Sequence, residues 1–177
     1  GAATPVARIR LKDKRMPPPA GRRRTAARLA AVQALYQMDL TGAAPEIVIR
    51  DVLQAERAQP AGEKGGLPAP DPSTVSRLVS GVAENLELLD RHLATALSGD
   101  LMLDRLEVLL RAILRAGAYE LLLRPDIPLK VIINEYVDLA HAFFAEREPP
   151  LVNAVLDRLA AARRPDDEPP SKAVNGA

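Results

Sequence analysis

Residues 75–99 read VSRLVSGVAENLELLDRHLATALSG and carry the most regular hydrophobic pattern in the chain. Large apolar residues recur there every three or four positions, at Val75, Leu78, Val79, Val82, Leu86, Leu89, Leu93 and Leu97. That spacing places them on one face of an α-helix. Gly99 follows, a residue type that commonly ends a helix. The stretch therefore predicts one amphipathic helix that buries its apolar face against other helices.

The same spacing recurs on both sides of this stretch. We predict a first helix with Thr25 as its N-cap and Gly42 just beyond its end. Others are predicted over about 45–57, 100–124, from Pro128 to Phe143, and from Pro149 through Leu159. No segment alternates polar and apolar residues with the period of two that a half-buried strand shows. The predicted fold is all-α.

Proline and glycine divide the chain into three parts. The run Pro17 to Pro19, followed by Gly21, predicts a flexible basic tail over residues 1–21. Residues 22–162 form one compact domain, and the polar residues 163–177 are expected to be a disordered C-terminal tail. Within the domain, residues 59–72 are rich in proline and glycine and predict a loop.

Several classes of function lack the residues that they need. The chain has no cysteine, and its two histidines lie in no recognisable metal or catalytic motif. It has no glycine-rich phosphate loop, no apolar run of about 18 residues and no signal-peptide pattern. We therefore predict a cytoplasmic protein that is not an enzyme and has no membrane span, metal or cofactor.

Charge is distributed unevenly along the sequence. Residues 1–38 contain nine basic side chains and one acidic side chain, a net charge of +8, whereas the remaining residues contain 15 basic and 22 acidic side chains, a net charge of −7. Such a basic segment on an acidic body favours contact with a polyanion.

The basic residues are densest at residues 22–28, RRRTAAR, close to the predicted start of the first helix. A helix start is partially positive, so an arginine there is unfavourable. Arg24 and Arg28, one turn apart, also repel each other. Each effect costs about 0.3 to 1 kcal/mol. Arginine binds phosphate through paired donors and stacks on bases, so the cluster indicates RNA contact, with a simple solubilising arm as the alternative.

Four blocks of sequence together resemble one protein family. They read RRRTAARLAAVQALYQMDLTG (22–42), LVSGVAENLELLD (78–90), LRAILRAGAYELLLRPDIPLKVIINEYVDLAHAF (110–143) and LVNAVLDRLA (151–160). In this order, over about residues 22–162, they are similar to the NusB family of bacterial transcription antitermination factors.

The resemblance implies an all-helical fold of two packed three-helix bundles with a seventh helical piece. It also implies a factor that binds the boxA segment of nascent ribosomal RNA leaders, as single-stranded RNA, with the ribosomal protein NusE, in the antitermination complex of RNA polymerase. The implied phosphate ligands are Arg22, Arg23, Arg24 and Arg28. Gln33 and Tyr36 are implied to lie near the RNA or the partner, and Asn153 to border the same surface, although periodicity alone favours core packing for Tyr36.

Two other interpretations fit the same residues. One is a protein-interaction module that forms a homodimer and binds polyanions loosely through its basic arm. The other is a stand-alone relative of the NusB-like domain that begins certain ribosomal RNA cytosine methyltransferases. The chain contains no glycine-rich methyl-donor site, and its blocks 33–40 and 78–85 resemble the free factor more closely.

Overall fold

The structure is a computed structural model that describes residues 19–59 and 67–162. These ranges contain seven α-helices, one 3₁₀ turn at Leu103–Arg105 and no β-strand, so the all-α prediction is confirmed. The helices are α1 (Pro19–Thr41), α2 (Pro45–Ala58), α3 (Pro72–Glu84), α4 (Leu86–Ala96), α5 (Val108–Leu123), α6 (Leu129–Phe143) and α7 (Glu148–Ala162).

Two bundles of three helices share one core. In the first bundle α1 packs on α2 and α3, and in the second α5 packs on α6 and α7. Helix α4 covers α5 and α7, and α1 also packs along α5. Apolar residues line most of α5, because it lies between the two bundles and is covered on most sides. The implied arrangement of two bundles with an additional helix is therefore confirmed.

The stretch that predicts one long helix contains two. Helix α3 ends at Glu84 and α4 begins at Leu86. Between them the Asn85 side chain donates a hydrogen bond from Nδ2 to the carbonyl oxygen of Gly81, at 2.8 Å. Asparagine side chains compete in this way with the helical backbone. The prediction of a continuous helix was wrong because the apolar spacing stays in phase across this break.

The first helix begins earlier than predicted. Helix α1 starts at Pro19, so residues 19–21 belong to the helix and not to a tail. Proline is well suited to the first helical turn, where its missing N–H needs no partner. Thr25 is consequently not an N-cap, and its Oγ1 lies 3.0 Å from the Gly21 carbonyl oxygen within the helix. Residues 1–18 lie outside the described ranges.

The later boundaries agree in part with the predictions. Helices α2 and α6 are confirmed, whereas α5 begins at Val108, eight residues after the predicted start. Arg111 donates a hydrogen bond from Nη1 to the Asp104 carbonyl oxygen, which holds the non-helical segment before α5. Residues 67–71 are non-helical as predicted, and the rest of that loop (60–66) and the C-terminal tail (163–177) lie outside the described ranges.

Each of the described helices is too short or too polar to cross a bilayer.

Candidate nucleic-acid interface

Three of the four predicted arginines lie at the N-terminal end of α1, at least partly exposed to solvent. Arg23 and Arg24 are exposed and Arg22 is half-exposed. No ion pair is recorded between any of the three and another residue of the described ranges. Successive helical residues point about 100° apart, so the three guanidinium groups spread around the helix end. They form a cationic surface, here called the arginine end of α1 (Arg22 to Arg24).

The fourth arginine belongs to the core. Arg28 is only 4 % exposed, and its Nε and Nη2 atoms each donate a hydrogen bond to one carboxylate oxygen of Glu120, at 2.9 Å. Its Nη1 atom lies 3.5 Å from Oε2 of Glu135. Burial acts to lower the pKa of Arg28, but the hydrogen bonds and charge of Glu120 outweigh burial, and the pKa is raised. The prediction that Arg28 holds a phosphate is therefore corrected, because its guanidinium is enclosed and already paired.

A buried polar network surrounds Arg28. The Tyr136 hydroxyl donates a short hydrogen bond to Glu120 Oε2, and Thr25 Oγ1 lies 3.0 Å from Glu135 Oε2. Thr25 and Arg28 belong to α1, Glu120 to α5, and Glu135 and Tyr136 to α6. This set, here called the Arg28 network, therefore ties α1 to the second bundle. Sequence analysis missed it, although an acid in the apolar run AYELLL of α5 was a signal that a buried cation must lie nearby.

The charges of the Arg28 network do not cancel. Burial, and then the negative charge of Glu120, raise the pKa of Tyr136 well above its ordinary value, so the phenol is neutral. One guanidinium then faces two carboxylates, which leaves one negative charge. Glu120 is enclosed, whereas the Glu135 side chain is 24 % exposed. The surplus charge therefore lies toward solvent, beside Thr25 and directly after the arginine end.

Gln33 and Tyr36 lie farther along α1. Gln33 is half-buried, and Tyr36 is 36 % exposed, so the core packing that periodicity favours for Tyr36 is wrong. Tyr36 lies thirteen positions after Arg23, a distance of about 20 Å along a helix axis. Contact of Gln33 or Tyr36 with RNA or a partner remains a prediction.

Tyr36 is one of four large apolar side chains that are exposed in two segments of the chain. Leu40, one turn later, is 56 % exposed, and Leu101 and Met102 are also exposed. Arg111 joins the two segments, because its Nη2 atom lies 2.8 Å from Asp39 Oδ2 and its Nη1 atom donates to the Asp104 carbonyl oxygen. The four exposed apolar residues, Tyr36, Leu40, Leu101 and Met102, are here called the apolar end of the molecule.

Asn153 lies on α7, which packs on α4, α5 and α6. Its side chain is exposed, and no hydrogen bond between described residues joins it to the arginine end. A role for Asn153 at the same surface therefore remains a prediction.

A cavity of about 240 Å³ opens beside the arginine end, between α1, α2 and the segment before α3. Its walls include Arg23, Leu53, Arg57 and Pro70. The N-cap of α3, Asp71, lies close by, and hydrogen bonds from Thr74 and then Ser73, with a smaller contribution from the Arg23 charge, lower its pKa. Arg23 therefore lies near two acids, Asp71 and the cavity residue Glu56, and no ion pair joins it to either of them.

Residues 19–59 and 67–162 contain no group of three or more histidine, aspartate or glutamate side chains that could hold a metal ion. His92 and His141 are both exposed.

Comparison with known proteins assigns the family. The model of the NusB family matches residues 25–161. The chain belongs to the NusB family. Among curated relatives, the transcription antitermination protein NusB of Brucella ovis is 49 % identical over 150 residues, which are 83 % of this chain and 85 % of the relative. That of Rhizobium rhizogenes is 46 % identical over 149 residues, 84 % of this chain and 92 % of the relative.

Solved structures agree with this NusB-family assignment. The chain is similar to T. maritima NusB, with 30 % identity and a TM-score of 0.67, over 81 % of this chain and 94 % of that one. It is also similar to a chain in a crystal structure of antitermination factors NusB and NusE in complex with dsRNA. That match has 25 % identity and a TM-score of 0.67, over 80 % of this chain and 98 % of the other.

Proposed function

We propose that this NusB-family chain is a non-catalytic RNA-binding factor in transcription antitermination. The observation that carries the proposal is the arginine end of α1, where Arg22, Arg23 and Arg24 have no recorded ion pair with the described residues. Three unpaired guanidinium groups at one helix end repel one another, and a polyanion removes that repulsion. The names of the curated relatives support antitermination as the process.

The proposed ligand is the boxA segment of a nascent ribosomal RNA leader, bound as a single strand. Guanidinium groups bind phosphate oxygens and stack on unpaired bases, and both contacts are available in single-stranded RNA. The related structure of NusB and NusE in complex with dsRNA supports RNA as the class of ligand, whereas the single-stranded form rests on the arginine chemistry. As a factor that acts on nascent bacterial transcripts, the protein would work in the cytoplasm with RNA polymerase.

The proposed protein partner is NusE, at the apolar end of the molecule. Tyr36, Leu40, Leu101 and Met102 expose apolar area. Tyr36 lies about 20 Å from Arg23 along the axis of α1, so a protein and an RNA strand can bind at the same time. The net charge of −7 outside residues 1–38 favours a basic ribosomal protein. The related complex of NusB with NusE supports the same partner.

A homodimer is the second candidate, because the same apolar end could be covered by another copy of the chain. The methyltransferase-domain interpretation is less well supported. The curated relatives quoted above are antitermination proteins, and the match covers 85 % or more of their length.

Competition binding tests the proposed function. A labelled boxA-like strand is bound to the protein with and without NusE, and is competed with unlabelled boxA or with a scrambled strand of equal length. We expect unlabelled boxA to compete better than the scrambled strand, and NusE to raise the affinity of the protein for the boxA-like strand. Equal competition by the two strands, or a homodimer that excludes NusE, would favour the interaction-module alternative.

The arginine end is tested with a matched pair of variants. Arg23→Glu/Arg24→Glu should abolish RNA binding and leave helical content unchanged, because both side chains are exposed. Arg77→Glu/Arg91→Glu changes net charge by the same amount on exposed positions of α3 and α4. We expect this control to retain most of the affinity. Equal loss in both variants would show that only net charge matters.

A further inference from the structure

The cavity beside the arginine end of α1 is bordered by two arginines. Arg23 belongs to α1 and Arg57 to the last turn of α2, and both line the cavity. Both side chains are exposed. Within the described ranges, neither guanidinium group has a recorded ion pair with a carboxylate. The guanidinium groups that are open to an anion therefore extend from the start of α1, across the cavity, to α2.

The wall between these two arginines is largely apolar. Leu53 lies one turn before Arg57 on the same face of α2, and Ala69, Pro70 and Pro72 form the opposite side. Proline fixes the φ angle of its residue, so this side of the cavity has little freedom to collapse. The volume of about 240 Å³ is below the roughly 300–1,000 Å³ of sites that enclose a drug-sized ligand. The cavity therefore suits one ring or one side chain.

The charges around the cavity favour a neutral occupant that is attached to an anionic backbone. Glu56 also lines the cavity and is half-buried. Its carboxylate repels a phosphate inside the cavity, and the apolar walls offer that phosphate no hydrogen bonds in place of water. Phosphates outside the cavity, in contrast, can reach Arg23 and Arg57. A single RNA strand has both parts, because its bases are flat and uncharged and its backbone is anionic. An apolar side chain of a protein would leave both guanidinium groups without an anion.

We propose that the cavity receives one unstacked base of the bound RNA, whose flanking phosphates lie at Arg23 and Arg57. The proposal rests on the proposed function, because it extends the RNA site from the arginine end of α1 onto α2. The base would pack on Leu53 and the proline rings, and a guanidinium plane can stack on its face. All four bases have such faces, so the cavity adds affinity at one position of the strand without selecting one base.

Strands that lack a single base test the proposal, because they keep every phosphate. A boxA-like strand, and versions of it with one abasic nucleotide at each position in turn, are bound to the wild type, Ala69→Leu and Ala94→Leu at fixed salt. Ala69 is exposed on the cavity wall, and a leucine there occupies part of the cavity without offering a flat face for stacking. Ala94 is exposed on α4, which packs on α5 and α7, and Ala94→Leu is the matched control.

We expect one abasic position at which the wild type and Ala94→Leu lose about tenfold in affinity, which lies in the range for loss of one stacked base. Ala69→Leu should bind the intact strand about tenfold more weakly than the wild type and lose nothing further at that position. If Ala69→Leu gives the same affinities as the wild type for every strand, no base enters the cavity. If Ala69→Leu weakens binding of NusE and not of RNA, the cavity takes a protein side chain, and the proposal is overturned as well.

Arg57→Gln tests the same site through its charge. We expect this variant to reduce the magnitude of the slope of log affinity against log salt by about 0.7, the contribution of one phosphate. Arg91→Gln, exposed on α4, should keep the wild-type slope. An unchanged slope in Arg57→Gln would show that no phosphate reaches α2, which overturns the proposal.

The variants of the arginine end separate this proposal from the proposed function. If the wild type binds no RNA, or if Arg23→Glu/Arg24→Glu binds RNA as tightly as the wild type, the proposed function itself is overturned. If Arg23→Glu/Arg24→Glu abolishes binding while Ala69→Leu and Arg57→Gln behave as the wild type, only the role of the cavity is overturned. Thermal melting of each variant confirms that it is folded.

Discussion

Arg28 and Glu120 lie 92 residues apart in the chain and form a two-pronged ion pair, with both N–O distances at 2.9 Å. The pair joins α1 of the first bundle to α5, the helix that both bundles share. The arginines of the cluster RRRTAAR therefore lie in two different environments. Its first three arginines are available to a ligand, whereas its last is part of the connection between the bundles.

Removal of Arg28 should destabilise the fold strongly. Arg28→Met leaves Glu120 buried without its cation, and breaking one side of a buried ion pair typically costs roughly 3–5 kcal/mol in the free energy of unfolding. The double variant Arg28→Met/Glu120→Gln removes both charges and should recover much of the loss. Denaturant titration measures the free energy of unfolding of the single and the double variant. A single variant as stable as the double would show that the pair does not hold the bundles together.

Tyr136 should make stability depend on pH in alkaline solution. Its pKa is raised in the folded state, so the folded protein keeps the phenolic proton that the unfolded chain releases above about pH 10. The stabilisation is fully present below pH 10 and is lost as pH rises above it, with a slope of about 1.4 kcal/mol per pH unit. Tyr136→Phe should lack this component. Identical slopes for the two proteins between pH 10 and 11 would contradict the account.

Gly81 should not tolerate alanine. A Cβ atom built at Gly81 lies 2.3 Å from the ring of Tyr119, which is buried in the core. Alanine favours a helix by about 1 kcal/mol over glycine, but an overpacked core costs roughly 1–3 kcal/mol, and more when a rigid ring is displaced. We expect Gly81→Ala to lower the melting temperature. Gly117→Ala, whose Cβ would lie 3.0 Å from Leu156, should lower the melting temperature less. A larger decrease for Gly117→Ala than for Gly81→Ala would contradict this packing.

The apolar end should be needed for NusE and not for RNA. Leu40→Glu places a charge in the middle of a surface that we propose is buried by NusE, so affinity for NusE should fall at least tenfold, or about 1.4 kcal/mol. Leu123→Glu, an exposed position at the end of α5, is the matched control and should have no such effect. Calorimetry measures NusE binding, and retained RNA affinity shows that the fold is intact. If Leu40→Glu binds NusE as tightly as the wild type, NusE does not bind at the apolar end.

The sequence could predict the helices because their apolar spacing depends on local geometry. Helices α2 and α6 begin and end close to the predicted residues. The break at Asn85 could not be predicted in this way, because a single side-chain hydrogen bond produces it without changing the spacing. The start of α1 was misplaced because a proline run was interpreted as a barrier to helix, whereas proline is accepted in a first turn.

The candidate site could be predicted only as a group of charges. Residue type and spacing identify four arginines, but they do not show that Glu120, far along the chain, pairs with one of them. Glu135 and Tyr136 had no individual signal, since their role depends on how α6 packs beside α1. Exposure of Arg22 to Arg24 agrees with the charge argument, and their contact with phosphate remains a prediction.

A salt series of RNA binding measures how many phosphates the arginine end holds. For single strands, the slope of log affinity against log salt changes by about 0.7 for each phosphate that is neutralised. We expect Arg22→Gln/Arg23→Gln/Arg24→Gln to reduce the magnitude of the wild-type slope by about 2, which corresponds to three contacts and excludes the buried Arg28. If the triple variant shows the same slope and affinity as the wild type, RNA does not bind at the arginine end of α1.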